Sequence, residues 1–420
     1  MLQLASFFSL HIGTRLVNHL ALICLLCFGS VAAQANKISR SVFPLIMEIQ
    51  NAISPEADKQ GNIPDVDFAF VSSKIEALLE KELSDYEASL AYQFSANVFL
   101  QTEDYTSAYK DLLKVHELNQ LEPNKLLSIE RTLAQLALNN GEYQASADFY
   151  SSWMRQVAKE KISEQDYLAL SQAYLQLEQW HNAVPSIDLA IQTRVVHVEA
   201  SNQKKMAEYQ AKKDAQKEAT NKGDSAKVSA PTLESLIAPE GWYRSKLSAL
   251  LNEHQRRINA KEKRGKKTSV SELEAQAIDV SKLLVVHYPK LDYWRQLAAL
   301  YQQASLSKAK GKDYPHALSA LHSAYVSGLL ITEKDLAWMI QLMMQQANYH
   351  QAGRVLTRAM DQQHLPESFD YLRLLSTAWV MAKEYQRAEQ VLSRQVQKFP
   401  QDSQAKERLE LVQKLLKNRV

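Results

Sequence analysis

Tyr167-Leu168-Ala169-Leu170-Ser171-Gln172-Ala173-Tyr174-Leu175-Gln176-Leu177-Glu178-Gln179-Trp180-His181-Asn182-Ala183 is the stretch whose pattern decides the fold. Tyr167, Leu170, Ser171 and Tyr174 fall at three- and four-residue steps, the spacing of one face of a helix. After a short polar turn, Trp180, Ala183, Ile187 and Ala190 repeat that spacing. Small residues such as Ser171 and Ala183 let two helices approach closely, and Tyr174 and Trp180 fill the space beside the crossing. Ser163-Glu164-Gln165-Asp166 supplies the helix start, with Ser163 accepting from backbone N–H groups and Asp166 near the positive end of the helix. The same arrangement recurs at Glu103-Asp104-Tyr105 with Ala108, Gly141-Glu142-Tyr143 with Ser146, and Asp313-Tyr314 with Ala317. It recurs again at Ala347-Asn348-Tyr349 with Ala352 and at Lys383-Glu384-Tyr385 with Ala388. Where no insertion intervenes, the aromatics lie about 35 to 38 residues apart.

That period, with two helices per copy, resembles a tetratricopeptide (TPR) array. The expected fold class is all-α, a right-handed α-solenoid of TPR-like helical hairpins with charged insertions. Composition agrees: 10 Gly and 11 Pro in 420 residues, with Leu, Ala, Gln, Lys and Glu abundant, suit an almost wholly helical chain.

The organisation follows from where the pattern starts, breaks and stops. Residues 1–35 read as an export signal: Arg15 nearby, an apolar core from Leu20 to Phe28, and Ala33-Gln34-Ala35 as a cleavage site. The alternative, an uncleaved anchor, is disfavoured because the apolar run is shorter than the roughly 20 residues that span a bilayer. Residues 36–83 form an N-terminal helical segment, with helices at Ile38 to Ile53 and near Asp67 to Lys81. Residues 84–194 hold repeats 1–3, in which Leu121-Glu122-Pro123-Asn124 closes the first. Residues 195–238 are a charged insertion; Gln203 to Lys227 is either an exposed helical extension or disordered, with a turn at Asn221 to Ser225. Residues 239–400 hold repeats 4–7, interrupted at 253–269 by a basic loop, and 401–420 form a capping helix.

Composition also narrows the chemistry. Both cysteines, Cys24 and Cys27, lie in the signal, so the exported chain has neither disulfides nor thiolate chemistry. The formal charge of +2 implies neither nucleic acid nor an anionic membrane as a partner. No Gly-rich phosphate loop, dinucleotide fingerprint, GxSxG elbow or HExxH is present. Among eleven histidines, His197, His287, His316, His322 and His350 lack ligand spacing. No catalytic residue, metal or cofactor is expected, and the chain is read as a non-enzyme.

Two features could bind a partner. Met339, Met343, Met344 and Met360 with Trp338 form either an adaptable exposed patch or the ordinary core of their unit, the latter being preferred. Arg256, Arg257, Lys261, Lys263, Arg264, Lys266 and Lys267 are either a solvated surface or a basic contact loop for an acidic partner or lipid headgroups. On the leading helices, Gln172, Gln176, Arg295, Gln296 and Gln303 are candidates for a partner-binding face.

Several stretches carry a closer resemblance: Arg131 to Leu136, Asp166 to Tyr174, Gly241-Trp242-Tyr243-Arg244, Tyr288-Pro289-Lys290, Tyr293 to Ala298 and Ala324 to Leu330. From about Ser84 to Pro400 the chain resembles the exported TPR proteins associated with TonB–ExbB–ExbD energy-transduction systems of gammaproteobacteria. The resemblance implies a periplasmic scaffold, without catalytic residues, that is accessory to TonB-dependent uptake of iron chelates or other nutrients. Its implied partners are envelope proteins, TonB-system components among them, with the chain not integral to the membrane after signal cleavage. The two lysine-rich insertions depart from that group. The alternative function is a scaffold for general envelope assembly or polysaccharide export; an enzyme with its site in the insertions is a third.

Overall fold

The computed structural model describes residues 37–54, 65–220, 229–262, 271–307 and 315–417. These residues form seventeen α-helices, and no strand occurs among them. The expected signal (1–35), Gly61 to Pro64, the Asn221–Ser225 turn and Tyr314 lie outside the described residues. The fold is all-α, built from TPR-like hairpins, and it divides between Ala238 and Pro239 into two compact units.

The first unit opens with α1 (Phe43–Ile53) and α2 (Phe68–Leu79), followed by α3 (Asp85–Gln101) and α4 (Tyr105–Leu118). It continues with α5 (Pro123–Asn139), α6 (Tyr143–Gln156), a 3-10 turn at Lys159–Lys161, α7 (Glu164–Gln176) and α8 (Trp180–Thr220). Packing is between chain neighbours: α3 on α4, α5 on α6 and α7 on α8 within hairpins, then α4 on α5 and α6 on α7 between them. The second unit holds α9 (Glu240–Glu262), α10 (Ser271–His287), α11 (Leu291–Ser307), α12 (Pro315–Val326) and α13 (Glu333–Gln345). It ends with α14 (Tyr349–Asp361), α15 (Phe369–Met381), α16 (Tyr385–Lys398) and α17 (Ser403–Lys417), stacked in the same sequential manner.

Among the described residues, five hairpin turns share one backbone solution. Glu103, Glu178, Ala347 and Lys383 adopt left-handed φ of 55–62°, and Gly141 occupies the same place at φ 78°. The N–H of this residue and that of the next fold back on the helix end. Glu142 N–H donates to Ala137 O at 2.8 Å and Gly141 N–H to Leu138 O at 3.2 Å, while Glu384 N–H donates to Trp379 O and Lys383 N–H to Val380 O at 3.0 Å each. These paired bonds satisfy carbonyls that the helix end would otherwise orphan. A non-glycine residue pays for that conformation in strain, and the chain accepts it at four of these five turns.

Past the turn, the crossing is set by small side chains. Ala108, Ser146, Ala183, Ala317, Ala352 and Ala388 all have no exposed surface. Ser146 Oγ also donates to Ala134 O at 2.8 Å, joining α6 to α5 through a buried hydrogen bond. Gly353 on α14 makes a close approach: a Cβ there would meet Trp379 Cδ2 and Cε2 on α15 at 2.8 Å. Trp379 is itself buried, with His350 edge-on at 5.7 Å and the Arg387 guanidinium 4.7 Å from its ring centre.

Helix starts are held by side chains. Ser84 and Ser163 form capping boxes with Glu87 and Asp166, and Thr332 accepts from Asp335 N–H. Glu87 does more than cap, because its other oxygen accepts from Ser39 N–H at 2.7 Å and so ties the chain before α1 to α3. Burial alone would raise the Glu87 carboxyl; the bonds from Ser84 and Ser39 outweigh it and hold the group at about 2.

Two features differ from the sequence-based expectation, the role of Pro123 and the start of the basic stretch, and two alternatives it left open are resolved. Pro123 opens α5 instead of closing the preceding repeat, since the first helical turn needs no N–H from it. Asn119, in the left-handed region, ends α4 instead. The Lys-rich insertion is helical as far as Thr220, continuous with repeat 3, and the returning chain is held to it: Glu234 N–H donates to Asn202 Oδ1 at 2.8 Å and Lys205 pairs with Glu234 at 2.8 Å. Finally, α9 runs through Glu262, so the start of the basic stretch is helix rather than loop. Met339, Met343 and Met360 are buried and Met344 half-buried, which makes the methionines core rather than patch.

Two outcomes follow. Ala183→Leu should overpack the α7–α8 crossing and cost about 1–3 kcal/mol in urea unfolding, whereas Leu189→Ala, at a 42% exposed position on the same helix, should be nearly neutral. Glu87, depressed in the folded state, contributes stability that is present above pH ~4.5 and lost as pH falls toward ~2. Urea midpoints measured from pH 6 down to pH 3 should therefore fall less steeply for Glu87→Gln than for the unsubstituted chain.

Candidate partner-binding surface

Within each unit, the leading helices of successive repeats lie next to one another, and side chains cross between them. In the first unit, Arg131 of α5 makes a two-pronged contact with Asp166 of α7, Nε to Oδ1 at 2.7 Å and Nη2 to Oδ2 at 3.1 Å. The guanidinium also lies 5.3 Å from the centre of the Trp153 ring. Asp166 is the capping-box carboxylate of α7, so one buried group both starts its helix and receives the preceding repeat.

The second unit repeats the device at a new site. Arg295 of α11 donates to Asp335 of α13, Nε to Oδ1 at 2.8 Å and Nη2 to Oδ2 at 2.6 Å, and Nη1 reaches Asp292 at 2.9 Å. Burial would raise the Asp335 carboxyl, but Arg295 and the Thr332 hydroxyl hold it below the usual range. Further links run along the same series of helices. Lys290 and the Tyr293 hydroxyl reach Glu240 of α9, and Trp338 Nε1 donates to Gln302 Oε1 at 3.2 Å. Tyr371 Oη donates to Glu333 Oε1 at 3.0 Å, and Arg408 Nη1 to Thr377 Oγ1 at 3.2 Å.

This placement separates the candidate residues into two kinds. Gln176 and Gln303 are exposed and Gln172 and Gln296 half-buried, all on leading helices. Arg295 is engaged with Asp335 and Asp292, so its first role is to join two repeats. In the basic stretch, Arg256 and Arg257 lie on α9, and both donate to the buried Glu253 at 2.7–2.8 Å. Arg256 first of all, with Arg257 and against the opposing effect of burial, holds the Glu253 carboxyl at about 2. The Lys261 side chain and all of Lys263, Arg264, Lys266 and Lys267 lie outside the described residues.

The arginine–carboxylate crossings were not read from sequence, although a signal exists. Ser or Thr followed three residues later by Asp marks α7 and α13, and an arginine precedes each Asp by 35 or 40 residues. Among the described residues no group of three or more His, Cys, Asp or Glu is placed to hold a metal ion. Among them, too, no helix is long and apolar enough to cross a membrane.

No protein-family model matches the chain. No curated protein matches it either. Solved structures do match. The C-terminal part of a TPR repeat-containing protein from Cytophaga hutchinsonii is 10% identical, with 75% of this chain and 98% of that one covered and a TM-score of 0.25. Yeast Tom70 is 12% identical, with 77% of this chain and 71% of that one covered and a TM-score of 0.22. At such scores the architecture rests on the hairpins and crossings described above.

Removing Arg295 tests the crossing in the second unit. Arg295→Ala strands Asp335, which is 3% exposed, and should cost about 1–3 kcal/mol in urea unfolding, with Thr332 retaining part of the carboxylate's hydrogen bonding. Gln303→Ala, at an exposed position on the same helix, should cost less than about 0.5 kcal/mol.

Proposed function

We propose that this chain is a non-enzymatic scaffold that binds protein partners along its leading helices. The observation that carries this reading is the run of side-chain links between consecutive leading helices. They hold neighbouring repeats in fixed register and leave exposed Gln176 in the first unit and exposed Gln303 and Gln341 in the second. A glutamine amide offers both a donor and an acceptor, which suits it to the backbone of an extended partner segment. A rigid presenting surface lowers the ordering cost of binding, which is how a modest number of contacts becomes useful affinity.

The location proposed is the periplasm, following export by the N-terminal segment, and the system proposed is TonB-dependent uptake across the outer membrane. This rests on the apolar, cleavage-site-bearing start of the sequence and on the stretches that resemble TonB-associated TPR proteins. The partner would then be an envelope protein, with TonB or an associated component the first to examine.

A photo-crosslinking residue placed at Gln303 or Gln341 in the full chain, activated in intact cells, should capture TonB-system proteins, and deletion of the gene should slow growth under iron limitation. Normal growth of the deletion strain together with capture of no envelope protein would overturn the proposal.

A further inference from the structure

We infer that residues 232–237 act as a releasable strap whose docking keeps the far end of α8 helical, so that strap and helix end order together and open together. The device lies inside the first unit and does not depend on which partner the scaffold binds. α7 begins at Glu164, whose carboxylate meets His197 Nδ1 at 2.8 Å, so α8 runs on past its hairpin partner to Thr220. Beyond His197 its large apolar residues are only Val198, Met206 and Tyr209. Between Val198 and Gln210, the positions withdrawn from solvent are Val198, Ser201, Asn202, Lys205 and Tyr209. Steps of three, one, three and four place them on one helical face.

The returning chain lies on that face. The Asn202 amide grips the backbone of Glu234 with both of its ends, accepting from the N–H at 2.8 Å and donating to the C=O at 2.9 Å. Lys205 pairs with the Glu234 carboxylate at 2.8 Å, and Arg194 Nη2 reaches Ser235 O at 3.5 Å. Lys205 above all, with Arg194 and the Ser201 hydroxyl, holds the Glu234 carboxyl below its usual range. Leu233 and Leu236 stay 49% and 41% exposed and Ile237 is half-buried, so polar bonds hold the strap more than apolar burial does.

Neither half holds firmly alone. The Lys205 and Glu234 side chains are 37% and 49% exposed, a solvated pair that contributes little by itself. The helix end is rich in Ala, Lys and Gln, which favour helix, yet a helix without tertiary contacts is marginal in water. Each supplies what the other lacks. The helix end presents Ser201, Asn202 and Lys205 at the spacing the strap needs, and the strap gives that end a tertiary contact. Such a pair opens as one local unit, at a cost well below that of global unfolding. The strap ends just before Pro239, where the second unit begins, so opening it lengthens the free chain that joins the units.

The test is hydrogen exchange with mass spectrometry on the full chain, reading peptides that cover 203–216, 229–238 and, as an internal control, 183–190. In the parent, the first two should exchange more slowly than free peptides of the same sequence. Glu234→Lys sets a cation against Lys205. It should speed exchange about tenfold in 203–216, a segment whose sequence it leaves intact, without changing 183–190. Adding Lys205→Glu restores the pair with its charges exchanged and should return 203–216 to the slow rate. Exchange in 203–216 that ignores Glu234→Lys, or that stays fast in the double variant, would overturn the inference, as would free-peptide rates in the parent. Acceleration that extends to 183–190 would overturn it too, because the repeat itself would then be opening. The partner-binding reading stands apart from these results and is judged by the in-cell crosslinks.

Discussion

Close approach of paired helices at small side chains is the constraint on which the remaining structure depends. Ala108, Ser146, Ala183, Ala317, Ala352 and Ala388 are fully buried, and Gly353 brings α14 against the face of Trp379 without room for one further carbon. Each hairpin presents an apolar face that it cannot bury alone, so the neighbouring hairpin completes the core. The left-handed turns serve this geometry. They spend local strain at Glu103, Glu178, Ala347 and Lys383 to bring the second helix back at an angle that puts its small residue on the first.

A second level of organisation is polar. Capping carboxylates at the starts of α7 and α13 are also the receptors for arginines from the preceding leading helix, so helix initiation and repeat register depend on the same buried atoms. Glu87 works similarly at the start of the array, accepting from Ser39 as well as from its own cap.

Most hairpin boundaries were legible because aromatics, small residues and capping residues recur at fixed offsets. The start of α7 at Ser163 and the burial of Ala183 could both be read directly. The sequence signal was weaker where one residue type serves two purposes. Pro123 suits either a position after a helix or the first turn of the next one, and only the left-handed Asn119 shows which applies. The Lys-rich run after repeat 3 has no apolar stripe, so periodicity could not reveal a helix whose support comes from propensity and from Glu234 on the returning chain. Among the site candidates, the exposure of Gln176 and Gln303 follows from helix register, but the engagement of Arg295 depends on Asp335, a residue 40 positions away.

The melting temperature of Gly353→Ala tests the packing account most directly, because two effects predict opposite signs. Gly353 is inside a helix, and on helix propensity alone alanine would add about 1 kcal/mol of stability. The packing described here places the added Cβ 2.8 Å from two carbons of a buried ring and predicts a lower melting temperature, corresponding to a net loss of about 1–3 kcal/mol. An unchanged or raised melting temperature would contradict it.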